Sequence, residues 1–308
     1  MKKYILSHII LSLFALNIFS QQMPNVSLFG DNQAYYNPGF VGNQEVLSAN
    51  FFFRANWVGI DGAPVTEAFL AHTPMRDPAV AMGILVEHDA LGSTGYTGIY
   101  INYAYRVKIG VNKLSFGVKG GITNESLNYI LLRDNVPDPA FSDNNQTFFY
   151  PNFGIGVAFT GRQYWAGFSV PRLFGYDSKG SDSYKMAHDF WRYEYFLTGG
   201  GRFNAGPDLA FEPSALLVYS SRYNYVDKIN VSLMAMGIYK GAYKAGLGFR
   251  LHDAIIIAVG YQLNRQFSLA YSYDLGLWGA ADYSNGSHEI NVNYKFGYKV
   301  NASNPRGF

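Results

Sequence analysis

The sequence predicts an all-β outer-membrane protein, an antiparallel up-and-down β-barrel of about fourteen strands, and three observations carry that prediction. Alternation of apolar and polar residues recurs along nearly the whole chain, as in Ile290, Val292, Tyr294, Phe296 and Tyr298 with Asn291, Asn293, Lys295 and Gly297 between them. Large aromatics and glycine are both abundant, with 25 Tyr, 24 Phe and 33 Gly. A soluble sandwich also alternates, but it hides its apolar face in a shared core and seldom needs so many large rings. Finally, no segment approaches the roughly 18 unbroken apolar residues of a membrane helix. Hydrocarbon outside and small or polar groups inside satisfy all three.

Taken in order, residues 1–20 open with Lys2 and Lys3, run apolar from Tyr4 to Phe19 and end at Ser20, the pattern of a secretory signal peptide. The alternative is an amino-terminal anchor helix, but the apolar run is short and no stop-transfer flank follows. Residues 21–45 are polar and turn-rich around Asn37, Pro38 and Gly39, yet carry Phe29, Tyr35, Tyr36 and Phe40. They are either a plug in the lumen or a flexible periplasmic tail. The barrel is expected over residues 46–298, followed by a short tail, 299–308. Mean hydropathy of −0.05 does not contradict a membrane protein, because only every second strand residue faces lipid and the average cancels.

Strands are expected over 46–56, 65–72, 79–87, 96–107, 113–124, 152–160, 163–170, 192–203, 209–219, 226–238, 242–251, 254–263, 266–273 and 287–298, each near the length a tilted membrane strand needs. In the fourth, Ile99, Ile101, Tyr103, Tyr105 and Val107 oppose Gly98, Asn102, Ala104 and Arg106; in the sixth, Phe153, Ile155, Val157 and Phe159 oppose Asn152, Gly154, Gly156 and Ala158. The inward set is rich in glycine, including Gly117, Gly121, Gly246, Gly248 and Gly260, so something is expected to pack closely inside. Lys119, Lys244, Arg250 and Lys295 also fall on polar faces, where they either make the lumen cationic or pair with a plug and with inward acids such as Glu194.

Turns near Gly110, Gly161, Gly206, Gly241 and Asn264 are tight, whereas 125–151, 171–191 and 274–286 are long. Barrels of this class keep short turns in the periplasm, which places the connections after odd-numbered strands outside and both termini in the periplasm. The stretch 133–145, with Asp134, Asp138 and Asp143, is then an exposed acidic excursion. Trp165, Trp191, Trp278 and Tyr96 are candidates for interfacial girdles, or equally for ordinary loop packing.

From residue 37 to residue 75 the chain reads NPGFVGNQEVLSANFFFRANWVGIDGAPVTEAFLAHTPM. Asn37, Pro38, Gly39, Phe40 and Gly42, then Arg54, Trp57 and Gly59, then Gly62, Ala63, Pro64 and Thr66, then His72 and Pro74, resemble the pattern of the PorP/SprF family of type IX secretion system membrane proteins of the Bacteroidetes. Tyr273, Asp274 and Leu275 with Gly286, Ser287, His288, Glu289 and Ile290 resemble that family's final hairpin. The middle loops depart from it. The resemblance implies an integral outer-membrane component working with other type IX secretion components. Its implied partners are membrane lipid and a secreted protein's C-terminal domain or adhesin, in some members a gliding adhesin.

Composition excludes several other functions. There is no cysteine, which removes disulfides, thiolate metal sites and thiol nucleophiles. A net charge of +2 with 15% charged residues offers no footprint for nucleic acid. His88–Asp89, His188–Asp189 and His252–Asp253 lie at expected extracellular turns, but neighbours on a strand face opposite ways and no Gly-x-Ser-x-Gly motif accompanies them. No cofactor or metal is implied, and no enzyme. The candidate functional loop comprises Arg54, Trp57, Asp61 and Pro64, on the first extracellular connection or folded inward from it, as a partner-binding element or a structural latch. His72 is either a hydrogen-bonded structural histidine at the periplasmic rim or a partner contact. The rival function is a plugged-barrel transporter or channel for hydrophobic or small anionic solutes.

Overall fold

The computed structural model describes residues 23–127, 146–177, 185–187, 193–220, 228–277 and 279–297. The expected signal peptide, the acidic excursion at 133–145, the tail at 299–308, His188–Asp189, Trp191 and Trp278 lie outside them.

The strands are β1 (Ser48–Ala55), β2 (Val65–Pro74), β3 (Val80–Leu91), β4 (Thr94–Ile109), β5 (Asn112–Leu127), β6 (Gln146–Thr160), β7 (Tyr164–Val170), β8 (Gly175–Asp177), β9 (Lys185–Ala187), β10 (Glu194–Gly201), β11 (Phe203–Asn204), β12 (Leu209–Ser220), β13 (Ile229–Tyr239), β14 (Tyr243–Arg250), β15 (Ala254–Gln262), β16 (Phe267–Gly276) and β17 (Ser287–Lys295). Strands β8 and β9 pair only with each other, and β11 continues β10 along β12. The remaining fourteen form one antiparallel ring, each paired with its neighbours in sequence, and β1 closes it against β17 from Ser48↔Lys295 to Ala55↔His288. Among the described residues the fourteen-strand ring has no edge strand left to seek another chain.

Alternation sorts the side chains as the sequence predicts. On β4, Ile99 and Ile101 are 54% and 59% exposed while Asn102 and Ala104 are fully buried. An exterior of exposed Ile, Leu, Val and Phe would be untenable in water; surrounded by hydrocarbon it costs nothing. Exposed tyrosines, among them Tyr105, Tyr164, Tyr239, Tyr243 and Tyr261, cluster at strand ends on one side. Their rings sit in the apolar band and their hydroxyls reach the interface.

Successive connections fall at alternate ends. Those after β1, β5, β7 and β16 are the long ones and share an end, here the long-loop end; the opposite, short-turn end carries the turns after β4, β6 and β13. Strands β5 and β6 run farther toward the long-loop end than expected, pairing to Leu127↔Gln146, so part of the expected loop at 125–151 is strand. Strand β17 stops at Lys295, short of the expected 298.

Several placements correct the sequence reading. Trp165 and Tyr96 do not face lipid: Trp165 is buried against Phe40 inside the barrel, and Tyr96 lies inside beneath Arg172, 4.1 Å from its guanidinium. Both occupy inward-parity positions, which tells more than ring chemistry does. His88 and Asp89 belong to β3 rather than to a turn, with His88 exposed and Asp89 turned inward to accept a hydrogen bond from Thr66. Of the candidate loop residues, Arg54 takes the inward alternative, as a strand residue of β1 that is 1% exposed, apart from the connection that carries Trp57 and Asp61.

Candidate functional site

Residues 23–47 run through the barrel interior, with Met23, Val26, Phe29, Tyr35, Tyr36, Asn37, Phe40 and Val41 each at most 2% exposed. Burying a large apolar side chain contributes roughly 1.5–3 kcal/mol, so this segment is an integral part of the core. It begins at the long-loop end, where the Met23 amide donates to Glu194 Oε2 at 3.0 Å, and descends to Ser48 at the short-turn end. Met23 thus stands at the opposite end from Ser48 and Lys295.

Midway, the segment makes one helical turn, Gln33–Tyr36, and then a 3-10 turn, Pro38–Phe40. Asn37 holds this knuckle to the wall: its Nδ2 donates to Val157 O at 3.0 Å and Phe168 O at 3.3 Å, and its Oδ1 accepts from Gly39 N at 2.8 Å. The wall has been cut away to receive it. A Cβ placed on Gly117 would overlap the backbone of Pro38 and Gly39, and one on Gly156 or Gly167 would overlap the Asn37 side chain. Gly246 and Gly248 serve differently, making room for the wall's own side chains Met236 and Met234. Tyr36 stacks on Phe196 with centroids 5.2 Å apart, Tyr35 meets Phe52 edge-on at 5.0 Å, and Phe40 meets Trp165 edge-on at 5.5 Å.

Below the knuckle, the Gly42 amide donates to His72 Nδ1 at 3.0 Å, which requires a lone pair on that nitrogen. Gly42 has φ +72, a left-handed conformation, and any Cβ there would strike Arg106 and Ala81. Glu45 pairs with Lys113 at the short-turn end.

Above the knuckle, the segment is clamped by buried ions. Arg54 contacts Asp274 at 2.7 Å and Glu289 at 3.2 Å, while Arg250 contacts Asp274 at 3.1 Å and Asp253 at 2.8 Å. Ser27 sits among them: its Oγ donates to Asp274 and accepts from Arg54 Nη1 and Arg250 Nη2, both at 2.7 Å. Glu289 accepts the Ser27 and Leu28 amides at 2.7 and 3.1 Å. Dehydrated charges of this kind are tolerable only when every lone pair and proton finds a partner, which the segment's own backbone supplies here.

A second cluster lies at the same end. Residues 171–174 turn into the lumen, pinned where Asn152 Oδ1 accepts the Leu173 and Phe174 amides at 3.1 and 3.2 Å, and Arg172 reaches Glu87 at 3.0 Å. Lys119 Nζ lies 4.4 Å from the Tyr100 ring centroid, and the Tyr100 hydroxyl is 2.8 Å from that of Thr123. Lys244 pairs with Asp31 of the segment at 3.4 Å. Lys119, Arg250 and Lys244 all face inward, each beside an acid or a ring; Lys295 faces the short-turn mouth.

Trp57, Asp61 and Pro64 lie on the connection 56–64 at the long-loop end, with Trp57 and Asp61 exposed. This loop is laced across the β1–β17 seam. Trp57 N donates to Ser287 Oγ at 3.1 Å, Val58 N to Gly286 O at 2.8 Å, and Asn285 N returns to Val58 O at 2.7 Å. The loop is therefore held while its Trp and Asp side chains face out. Among the described residues no group of three or more His, Asp or Glu could hold a metal ion.

Sequence reasoning did not pick out Ser27, Asp274 and Glu289 as clamp residues, nor Glu87 and Arg172. Glu289 shares the polar parity of Asn291 and Asn293, whereas Asp274 was read into the loop 274–286; nothing local marks Ser27 or Arg172, because their partners lie from 27 to 247 residues away.

A closed, edge-free barrel with an apolar exterior and a polar, ion-paired interior defines an integral outer-membrane β-barrel protein. Residues 18–294 match the family model described as type IX secretion system membrane protein PorP/SprF. The chain belongs to that family and is an outer-membrane component of type IX secretion. No curated protein matches it. Among solved structures it is similar to the CymD monoaromatic hydrocarbon channel, at 13% identity over 83% of this chain and 90% of that one with a TM-score of 0.48. It is similar also to a Pseudomonas aeruginosa FadL homologue, at 12% identity over 89% and 95% with a TM-score of 0.47. A third is the Ralstonia pickettii toluene transporter TbuX, at 11% identity over 84% and 92% with a TM-score of 0.48.

Proposed function

We propose that this chain is a non-enzymatic binding partner in type IX secretion, which receives an exported protein's C-terminal domain, such as that of a gliding adhesin, and helps to export it or hold it at the cell surface. The observation that carries this reading is the lumen itself, traversed from end to end by a segment locked to the wall by the Asn37 knuckle and the Ser27 ion clamp. A barrel filled in this way is a rigid pedestal, and its binding surface belongs at an end. In this reading residues 23–47 are a plug, the short turns face the periplasm, and the long-loop end faces out. Trp57 and Asp61, on a loop stitched to the closing seam, offer an indole and a carboxylate at fixed positions, the arrangement expected of a binding hot spot.

The test is cargo retention. Trp57→Ala with Asp61→Ala should weaken capture of a co-expressed cargo C-terminal domain at least tenfold while the barrel still migrates as a folded, heat-modifiable species. Unchanged retention rejects the loop assignment. The rival reading, a solute transporter, draws support from a cavity of about 820 Å³ below the segment. Planar bilayers separate the two: solute-dependent conductance favours transport, silence favours the pedestal.

A further inference from the structure

A cavity lies between the segment and the short-turn end. Leu28 to Tyr35 form its roof, and its mouth, at the short-turn end, is ringed by residues such as Arg162, Arg202, Lys244 and Lys295. Those four cations share the lining with two acids, Asp31 and Glu212, which pair with Lys244 at 3.4 Å and Arg202 at 3.5 Å. The excess continues onto the surrounding turns, where Arg76, Lys108, Lys240 and Arg265, all exposed, stand with Asp77 and Asp208. A concave site with low-dielectric walls and charge of one sign around its mouth concentrates ligands of the other sign.

The remaining lining selects among anions. Asn43, Asn50, Gln163, Gln262 and Asn293 carry amides, with Asn50 Nδ2 already donating to Asn291 and Gln262 Nε2 to Asn264 O, beside wall residues Met234, Met236 and Leu70. Amides at several heights suit a peptide backbone, which presents N–H and C=O groups in alternation. A cavity of about 820 Å³ lies within the range of roughly 300–1,000 Å³ typical of ligand pockets, enough for a few residues but not for a folded domain.

We propose that this cavity is a receptor for an acidic, extended segment of a partner protein on the side of the short turns, distinct from the cargo surface at the other end. Carboxylates of the inserted segment engage Arg162 at the mouth, its backbone engages the amides, and the roof sets how far it enters. The site needs neither Trp57 nor Asp61.

The test uses the full protein in nanodiscs of zwitterionic lipid and a fluorescein-labelled hexapeptide alternating Asp and Ser, followed by anisotropy. The acidic peptide should bind at least tenfold more tightly than its Asn–Ser counterpart and weaken as salt rises. Arg162→Glu should reduce affinity at least tenfold, Arg162→Gln severalfold, and Asp282→Lys at the far end not at all. Heat-modifiable migration certifies that each variant is folded. Equal binding of the two peptides overturns the proposal, as does indifference to the Arg162 variants. Competition by anionic phosphatidylglycerol nanodiscs but not by unlabelled peptide also overturns it, reassigning the cations to lipid headgroups.

Discussion

Arg54→Met tests the buried clamp most directly. The guanidinium contacts Asp274 at 2.7 Å, Glu289 at 3.2 Å and Ser27 Oγ at 2.7 Å, and donates through Nε to Asn56 at 2.8 Å. Methionine keeps much of the volume but strands two carboxylates, and only Asp274 retains a cationic partner, Arg250 at 3.1 Å. Two unit charges 4 Å apart interact by about 4 kcal/mol at an effective dielectric of 20. Removing one member of a buried pair costs ~3–5 kcal/mol by experience with such sites. The expected loss for Arg54→Met is therefore about 3–5 kcal/mol, read as a lowered denaturant midpoint in detergent or bilayer refolding followed by tryptophan fluorescence. Adding Glu289→Gln should recover at least ~1 kcal/mol, since it removes one stranded charge while Gln Oε1 can still accept one of the two backbone amides. Added salt should leave the difference nearly unchanged, because buried charges are weakly screened. A variant within about 1 kcal/mol of the parent, with no coupling to Glu289, would refute the idea that these ions clamp the segment.

Gly156→Val and Gly117→Val should leave a heat-modifiable barrel but expel the Asn37 knuckle, so limited proteolysis should cut within residues 23–47 of the variants and spare the parent. Asn37→Ala removes a donor shared by the Val157 and Phe168 carbonyls and leaves the Gly39 amide without its acceptor, and should cost roughly 1–3 kcal/mol by denaturant titration. His72→Ala leaves the Gly42 amide without its acceptor at a cost of about 1–3 kcal/mol, and Gly42→Ala should cost more, because it adds left-handed strain to a collision with Arg106. If Gly42→Ala proves the milder of the two on melting in detergent, the packing described around Arg106 is wrong.

The strand set was legible in the sequence because lipid imposes a rule that each residue obeys locally. A side chain at one parity meets hydrocarbon and at the other meets the interior, so Ile99 to Val107 disclose their face without knowledge of any partner. The rule also overrules chemical type: Trp165 and Tyr96 read as interfacial anchors by their rings, but parity puts them inside. Inward glycines announced that something would approach closely, yet not which ones would be met by the knuckle and which by a neighbouring methionine.

What the sequence determined by itself, then, is the sheet, its closure into a membrane barrel and the family, all of which follow from periodicity and from short motifs read in place. What only the tertiary structure decided is the interior: that Ser27 is gripped by Arg54, Arg250, Asp274 and Glu289, that residues 23–47 descend from the long-loop end, and that a basic-mouthed cavity remains beneath them. The physical reason is range. The choice between lipid and lumen is made one residue at a time, whereas a buried charge is tolerable only beside partners that closure of the barrel brings from 27 to more than 200 positions away.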